Sequence, residues 1–163
     1  MDRPSVYIPA KPYIKAFYVN KYGNEPVYFP KKDKAMSLLL ELLMKPPDDF
    51  KQKAPDRDSH IEIAIPYYFN SFHFNANIIN YLSKRSKTTF ERRLRVRFWN
   101  TFEEDILERL RNGYIPSDAI AIFIEKHHLP DDETTEQTLR KEIYRNKKFF
   151  GVRPIRAYKY AKK

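Results

Sequence analysis

The sequence predicts an α+β fold, with a small N-terminal sheet of short strands and helices followed by a mainly α-helical C-terminal part. Three short β-like runs, each stopped by a proline, occupy residues 6–11, 27–32 and 61–66. Helical periodicity dominates after them. Hydrophobic residues make up 42% of the 163 residues, which is enough for a packed interior.

Two helices are predicted among the short strands. The first covers residues 12–21, because Pro12 suits an early helical position and Gly23 suits the left-handed residue after a helix end. The second covers residues 33–44, where most positions are apolar, and two consecutive prolines stop it. A charged loop over residues 46–59 follows and marks either a mobile segment or a boundary between lobes.

A long helix is predicted from Thr88 or Thr89 to Asn112. Strict four-residue spacing of its apolar residues drifts by about 40° per step around a straight helix. We therefore expect a break near residues 100–101, with Thr101 and Glu104 forming a capping box. The apolar positions are Phe90, Leu94, Phe98, Phe102, Ile106 and Leu110.

The predicted domain division places an α+β lobe in residues 1–80 and a helical basic lobe in residues 81–163. One continuous domain is the alternative. The chain also separates its charges, since residues 84–97 and 140–163 are basic, whereas residues 102–132 carry most of the acidic residues of the C-terminal half. Such segregation concentrates positive charge, and concentrated positive charge attracts a phosphate backbone.

The overall charge favours an anionic partner. The formal net charge is +10 and there is no cysteine, which excludes disulfides and cysteine-based zinc sites. The N-terminus lacks the pattern of a signal peptide, and the longest apolar run is too short to span a bilayer, so we expect no membrane partner and a cytoplasmic location. The alternative is a soluble protein that is merely basic.

The C-terminal part has the layout of a helix-turn-helix. A short helix over residues 118–126, capped by Ser117, precedes a turn over residues 127–132 in which Leu129 fills the angle between helices. A second helix opens at Thr134, with Gln137 completing a capping box. The turn is longer than in the usual DNA-binding motif and lacks its small residue.

The second of these helices is predicted to bind nucleic acid. Leu139, Ile143 and Phe150 form its packing side, and polar residues face a DNA groove. Arginines on the preceding long helix and a basic C-terminal tail hold phosphates. The alternative is an ordinary solvated helix with a frayed tail. The predicted nucleic-acid-binding residues are Arg92, Arg93, Arg95, Gln137, Arg140, Lys141, Tyr144, Arg145, Lys147, Lys148, Arg153 and Arg156.

The sequence contains no motif that predicts a chemical reaction. It has no P-loop, no dinucleotide-binding glycine pattern, no nucleophile elbow and no HExxH pattern. The acidic pairs in loops are more typical of solubility than of a catalytic cation site. We therefore expect no enzyme activity, no catalytic residue, no cofactor and no metal site.

Three scattered segments resemble small basic proteins of phages and conjugative mobile elements. They are Ile-Pro-Ala-Lys-Pro-Tyr at residues 8–13, Lys-Tyr-Gly at residues 21–23 and Leu-Arg-Lys-Glu-Ile-Tyr-Arg at residues 139–145. The resemblance implies a mobile-element setting and some role in handling DNA.

The leading hypothesis is a small DNA-binding protein, with a regulatory or accessory role in a mobile element or phage and duplex DNA as its partner. One alternative is a structural or assembly protein of a phage that uses the aromatic segment of residues 67–74 as an interface. Another is a single-strand or RNA-binding protein that stacks bases on Tyr68, Phe69 and Phe72.

Overall fold

The computed structural model describes residues 4–51, 55–69, 72–73, 75–146 and 150–151. Within these residues the fold is α+β, as predicted, with short antiparallel strands and a mainly helical C-terminal part. The helices are α1 (Pro12–Tyr22), α2 (Lys34–Leu42), α3 (Lys84–Arg111), α4 (Pro116–Lys126) and α5 (Glu133–Arg145). The strands are β1 (Ser5–Pro9), β2 (His60–Ala64), β3 (Tyr68–Phe69) and β4 (Phe72–His73).

The N-terminal sheet consists of β1 and β2, which pair antiparallel with Val6 opposite Ile63 and Ile8 opposite Ile61. These four side chains are buried, so one face of the sheet lies on the core. The strand predicted over residues 27–32, the second of the three, is wrong. Only a bridge forms there, in which the Val27 N–H donates to the Glu62 carbonyl at 2.8 Å. Prolines at positions 26 and 30 leave too short a stretch for a longer ladder.

The two N-terminal helices lie where the sequence predicts them. Helix α1 ends before Gly23, whose φ of 93° is readily adopted by glycine. Helix α2 is capped by Asp33, whose carboxylate accepts a hydrogen bond from the Ala35 N–H at 2.8 Å. The predicted end at residue 44 is two residues too late, because Met44 instead forms a backbone bridge with Tyr81.

Helix α3 is continuous, so the predicted break at residues 100–101 is wrong. Thr101 lies inside the helix and its hydroxyl donates to the Arg97 carbonyl at 3.0 Å instead of capping a new helix. The apolar side chains, which wind around the helix axis, pack against different elements along the length of α3. Phe90 packs near Phe29, and Phe102 packs edge-on against Phe123 of α4. Because neighbouring elements cover the apolar residues on successive sides of α3, the helix can bury them without a break.

Helix α4, a turn that contains the buried Leu129, and helix α5 follow one another in the order that the sequence predicts. Both predicted caps are wrong. Helix α4 begins at Pro116 without a side-chain cap, so Ser117 lies inside it. Helix α5 is capped by Asp132, which is one residue before its first turn and accepts from the Thr135 N–H at 2.6 Å.

One cluster of buried residues holds these elements together. It draws on both sides of the proposed boundary at residue 80, with Ile8 and Phe17 before it and Phe98 and Phe123 after it. Helix α3 contacts β1, α1, α2 and α4 and so lies at the centre of the fold. The division into residues 1–80 and 81–163 stays a prediction.

The cap of α5 gives a test that separates the two assignments. Changing Asp132 to alanine is expected to lower the free energy of unfolding by about 1 kcal/mol, because the first turn loses a capping acceptor. Changing Thr134 to alanine is the matched control and is expected to have little effect, since Thr134 is exposed within the helix. Urea unfolding followed by circular dichroism measures both. Equal losses would contradict the cap at Asp132.

Candidate nucleic-acid interface

The first half of α3 carries the strongest positive charge among the helices. Residues 84–97 contain seven basic residues and one acidic residue. Phe90 and Leu94 anchor this half in the core, and Arg92, Arg93 and Arg95 are exposed. Burial of the apolar stripe therefore presents these three predicted arginines to solvent.

Arg93 and Arg95 lie on different sides of α3, since residues two apart on a helix are separated by about 200°. Arg93 lines a cleft with the start of α2. Arg95 forms an ion pair with Glu91 at 3.6 Å. Burial raises the pKa of Tyr13 in α1, and the charge of Arg95 partly offsets that rise. The predicted arginines thus divide between two regions.

The cleft beside Arg93, hereafter the α2–α3 cleft, has a volume of about 470 Å³. Four cationic side chains and one acidic side chain line it, together with Ala35, Val96 and Asn100. The charged residues are Lys32, Asp33, Lys34, Arg93 and Arg97. Positive charge from two elements that are distant in sequence therefore meets in one concavity.

The single acidic residue of the cleft is held by three partners. Arg97 donates from Nη1 to both oxygens of Asp33, at 2.9 and 2.8 Å, and the Tyr22 hydroxyl donates at 2.8 Å. Burial raises the pKa of Asp33, but the hydrogen bonds from the Ala35 N–H, Arg97 and Tyr22 outweigh it and lower the pKa overall. Burial and the hydrogen bond to Asp33 raise the pKa of Tyr22 to about 12. The Asp33 charge is therefore neutralised mainly by Arg97.

In the part of the chain that the structure describes, the other cations of the cleft have no carboxylate partner. Within the described ranges, Lys32, Lys34 and Arg93 form no ion pair and donate no side-chain hydrogen bond. Lys21 of α1 lies close enough that the Arg97 charge adds to burial in lowering its pKa. This side of the molecule therefore carries positive charge that no ion pair within the described residues balances.

Helix α5 buries the side that the sequence predicts to be its packing side. Leu139 and Ile143 of α5 are buried, and Gln137, Lys141 and Tyr144 are exposed. Its charge, however, is balanced, because Glu133–Arg145 contains three basic and three acidic residues.

Two of the predicted contacts on α5 are already engaged within the helix. The Gln137 amide donates to Glu133 at 2.6 Å, and Arg140 forms an ion pair with Glu136. Both interactions must be broken or shared before Gln137 and Arg140 can contact a nucleic acid.

Glu142 of α5 lies near Tyr13 of α1 and Glu103 of α3. The Glu142 charge raises the pKa of Tyr13 in addition to burial, and it does the same for Glu103 of α3. Tyr13 therefore lies near charged residues of both α3 and α5.

Lys32, Lys34 and Arg97 line the cleft but were not among the binding residues that the sequence predicts. The two lysines could have been found from the run Lys31-Lys32-Asp33-Lys34, in which lysines surround a helix cap. Four predicted residues, Lys147, Lys148, Arg153 and Arg156, lie outside the described residues.

Two further findings come from the described part of the chain. No helix there is long and apolar enough to cross a membrane. No group of three or more His, Asp or Glu side chains there is arranged to hold a metal ion.

We found no family model that matches the chain, no similar curated protein and no similar solved structure. The residues of the chain itself therefore carry the argument about its function.

Proposed function

We propose that the protein binds nucleic acid, with duplex DNA as its partner, through the basic first half of α3 and the loop that precedes α2. The observation that carries the proposal is the α2–α3 cleft, where Lys32, Lys34 and Arg93 lie together and form no ion pair in the described part of the chain. Like charges held close together repel, and a polyanion relieves that repulsion while releasing its condensed counterions.

The contacts on this surface are of the phosphate-binding kind. Arginine and lysine side chains bind phosphate oxygens and so fix the position of a protein on the duplex, but these contacts do not read sequence. Base-edge contacts, in this proposal, come from Gln137 and Lys141 of α5, which can hydrogen-bond adenine and guanine respectively. A regulatory or accessory role in a phage or mobile element is the biological setting that we propose for this binding.

Salt dependence tests the proposal. Each phosphate contact is expected to contribute about −0.9 to the slope of log K against log salt for duplex DNA. Changing Lys32, Lys34 and Arg93 together to alanine is expected to make the slope less steep by about 2 to 3 and to weaken binding at low salt. Fluorescence anisotropy with a labelled duplex, between about 50 and 200 mM salt, measures the slope.

The control is the change of Arg111 to alanine. Arg111 is exposed in the last turn of the same helix, about 27 Å from Arg93 at 1.5 Å per residue. This variant is expected to keep the wild-type slope. Binding that is insensitive to salt, or the absence of any binding to duplex, single-stranded DNA or RNA, would overturn the proposed function. A preference for single strands would retain nucleic-acid binding and replace duplex DNA as the partner.

A further inference from the structure

The α2–α3 cleft differs from a merely basic surface because one of its cations is held in place. Arg97 is fixed through its hydrogen bonds to Asp33, and its guanidinium lies near the Tyr22 ring, with its central carbon 5.8 Å from the ring centroid. A side chain that is ordered before binding loses less conformational entropy when an anion arrives. Both hydrogen bonds to Asp33 come from Nη1, so this carboxylate does not use the other N–H groups of the guanidinium.

The adaptable cations surround this fixed group. Arg93 precedes Arg97 by one turn of α3, and Lys32 and Lys34 lie on either side of the residue that caps α2. Arginine offers a planar fork that matches two phosphate oxygens, and lysine offers a compact charge. The positive end of α2 adds a smaller contribution of the same sign.

The volume of the cleft indicates more than a point contact. At about 470 Å³ it lies in the range of small-molecule pockets, about 300–1,000 Å³. That is more room than a phosphate group needs, and the Asn100 amide and the Val96 side chain line the remaining wall. An amide can hydrogen-bond a sugar hydroxyl, and an aliphatic side chain can contact the sugar carbons.

We propose that the α2–α3 cleft binds one phosphate group together with its attached sugar, and that Arg93, Lys34 and the preorganised Arg97 contact the phosphate oxygens. The inference rests on the proposed function when the phosphate belongs to a nucleic-acid strand. A free nucleoside monophosphate presents the same chemistry and is the other source. The experiment below distinguishes the two.

The test uses a pair of double variants with equal loss of charge. The cleft variant changes Lys34 and Arg93 to alanine, and the control variant changes Arg85 and Arg92 to alanine, both exposed on α3 outside the lining of the cleft. None of these four side chains has an ion pair within the described part of the chain, so both variants are expected to keep the wild-type urea midpoint. Inorganic phosphate, deoxyadenosine monophosphate and a short labelled duplex are the probes.

The cleft variant is expected to bind the duplex about tenfold more weakly than the control variant does, and the monophosphate is expected to compete for wild-type protein better than inorganic phosphate. If the two variants lose the same affinity while the wild type binds duplex, the cleft inference is overturned and the proposed function stands. If the wild type binds the monophosphate but no strand, the cleft inference stands with a free nucleotide as its ligand and the proposed function fails. If it binds none of the probes, both fail.

Discussion

Changing Phe98 to alanine is expected to lower the free energy of unfolding by about 3–5 kcal/mol. The Phe98 side chain is 0% exposed at the meeting point of three helices. Its ring lies 5.2 Å from the ring of Phe17 in α1 and 6.1 Å from that of Phe123 in α4. Removing the ring takes away apolar burial and leaves a cavity that three rigid helices cannot close.

The control for this prediction is the change of Val96 to alanine. Val96 lies two residues away on α3 and is 44% exposed, so its truncation is expected to change stability by about 0.5 kcal/mol or less. Urea unfolding followed by far-ultraviolet circular dichroism measures both variants. The fluorescence of Trp99, whose ring lies 5.1 Å from that of Phe98, reports packing of the same region in the wild type. A loss below about 1 kcal/mol for the Phe98 variant would contradict its central place in the core.

Changing Asp33 to alanine is expected to cost about 2–3 kcal/mol, the second largest effect. The change removes the cap of α2, leaves the Tyr22 hydroxyl without its acceptor and separates Arg97 from its carboxylate. The Arg97 side chain is 31% exposed and can be rehydrated, so the cost stays below that of breaking a fully buried pair. Changing the exposed Asp49 to alanine is the control and is expected to have little effect.

The same carboxylate makes part of the stability depend on pH. The folded state lowers the pKa of Asp33 below its ordinary value of 3.8. The ionised form is therefore favoured by folding, and its contribution is present above that value and is lost as the pH falls through the lower folded pKa. The difference in unfolding free energy between wild type and the Asp33 variant should narrow from neutral pH to below about 3.8. A difference that stays constant over this range would contradict the assignment.

The fold could be predicted largely from local signals, because helix ends depend on single residues. Pro12 and Gly23 bound α1, and α2 begins directly after Asp33, close to the predicted start. The break predicted in α3 was wrong because periodicity describes the face of one helix and says nothing of the neighbours that cover it. Aromatic residues of several elements cover the winding stripe, so a single straight helix buries it.

The candidate site was only partly predictable. The exposure of Arg92, Arg93 and Arg95 followed from the apolar positions around them. The proximity of Lys34 and Arg93 could not be predicted. It depends on the ion pair between Arg97 and Asp33, which joins α2 to α3 across 64 residues, and sequence periodicity does not indicate such a long-range contact. The ion pair within α5 could be predicted from the sequence, since Glu136 and Arg140 have the four-residue spacing that forms ion pairs on helices.

The continuous α3 has a consequence for the approach of any charged partner. The helix has 28 residues and is about 42 Å long at 1.5 Å per residue. Its first half is strongly cationic, whereas four acidic residues follow between positions 103 and 108. This distribution gives α3 an electric dipole along its axis, with the N-terminal half as the positive end. The field of a distant polyanion exerts a torque on that dipole and turns the N-terminal half toward the polyanion before the molecules touch.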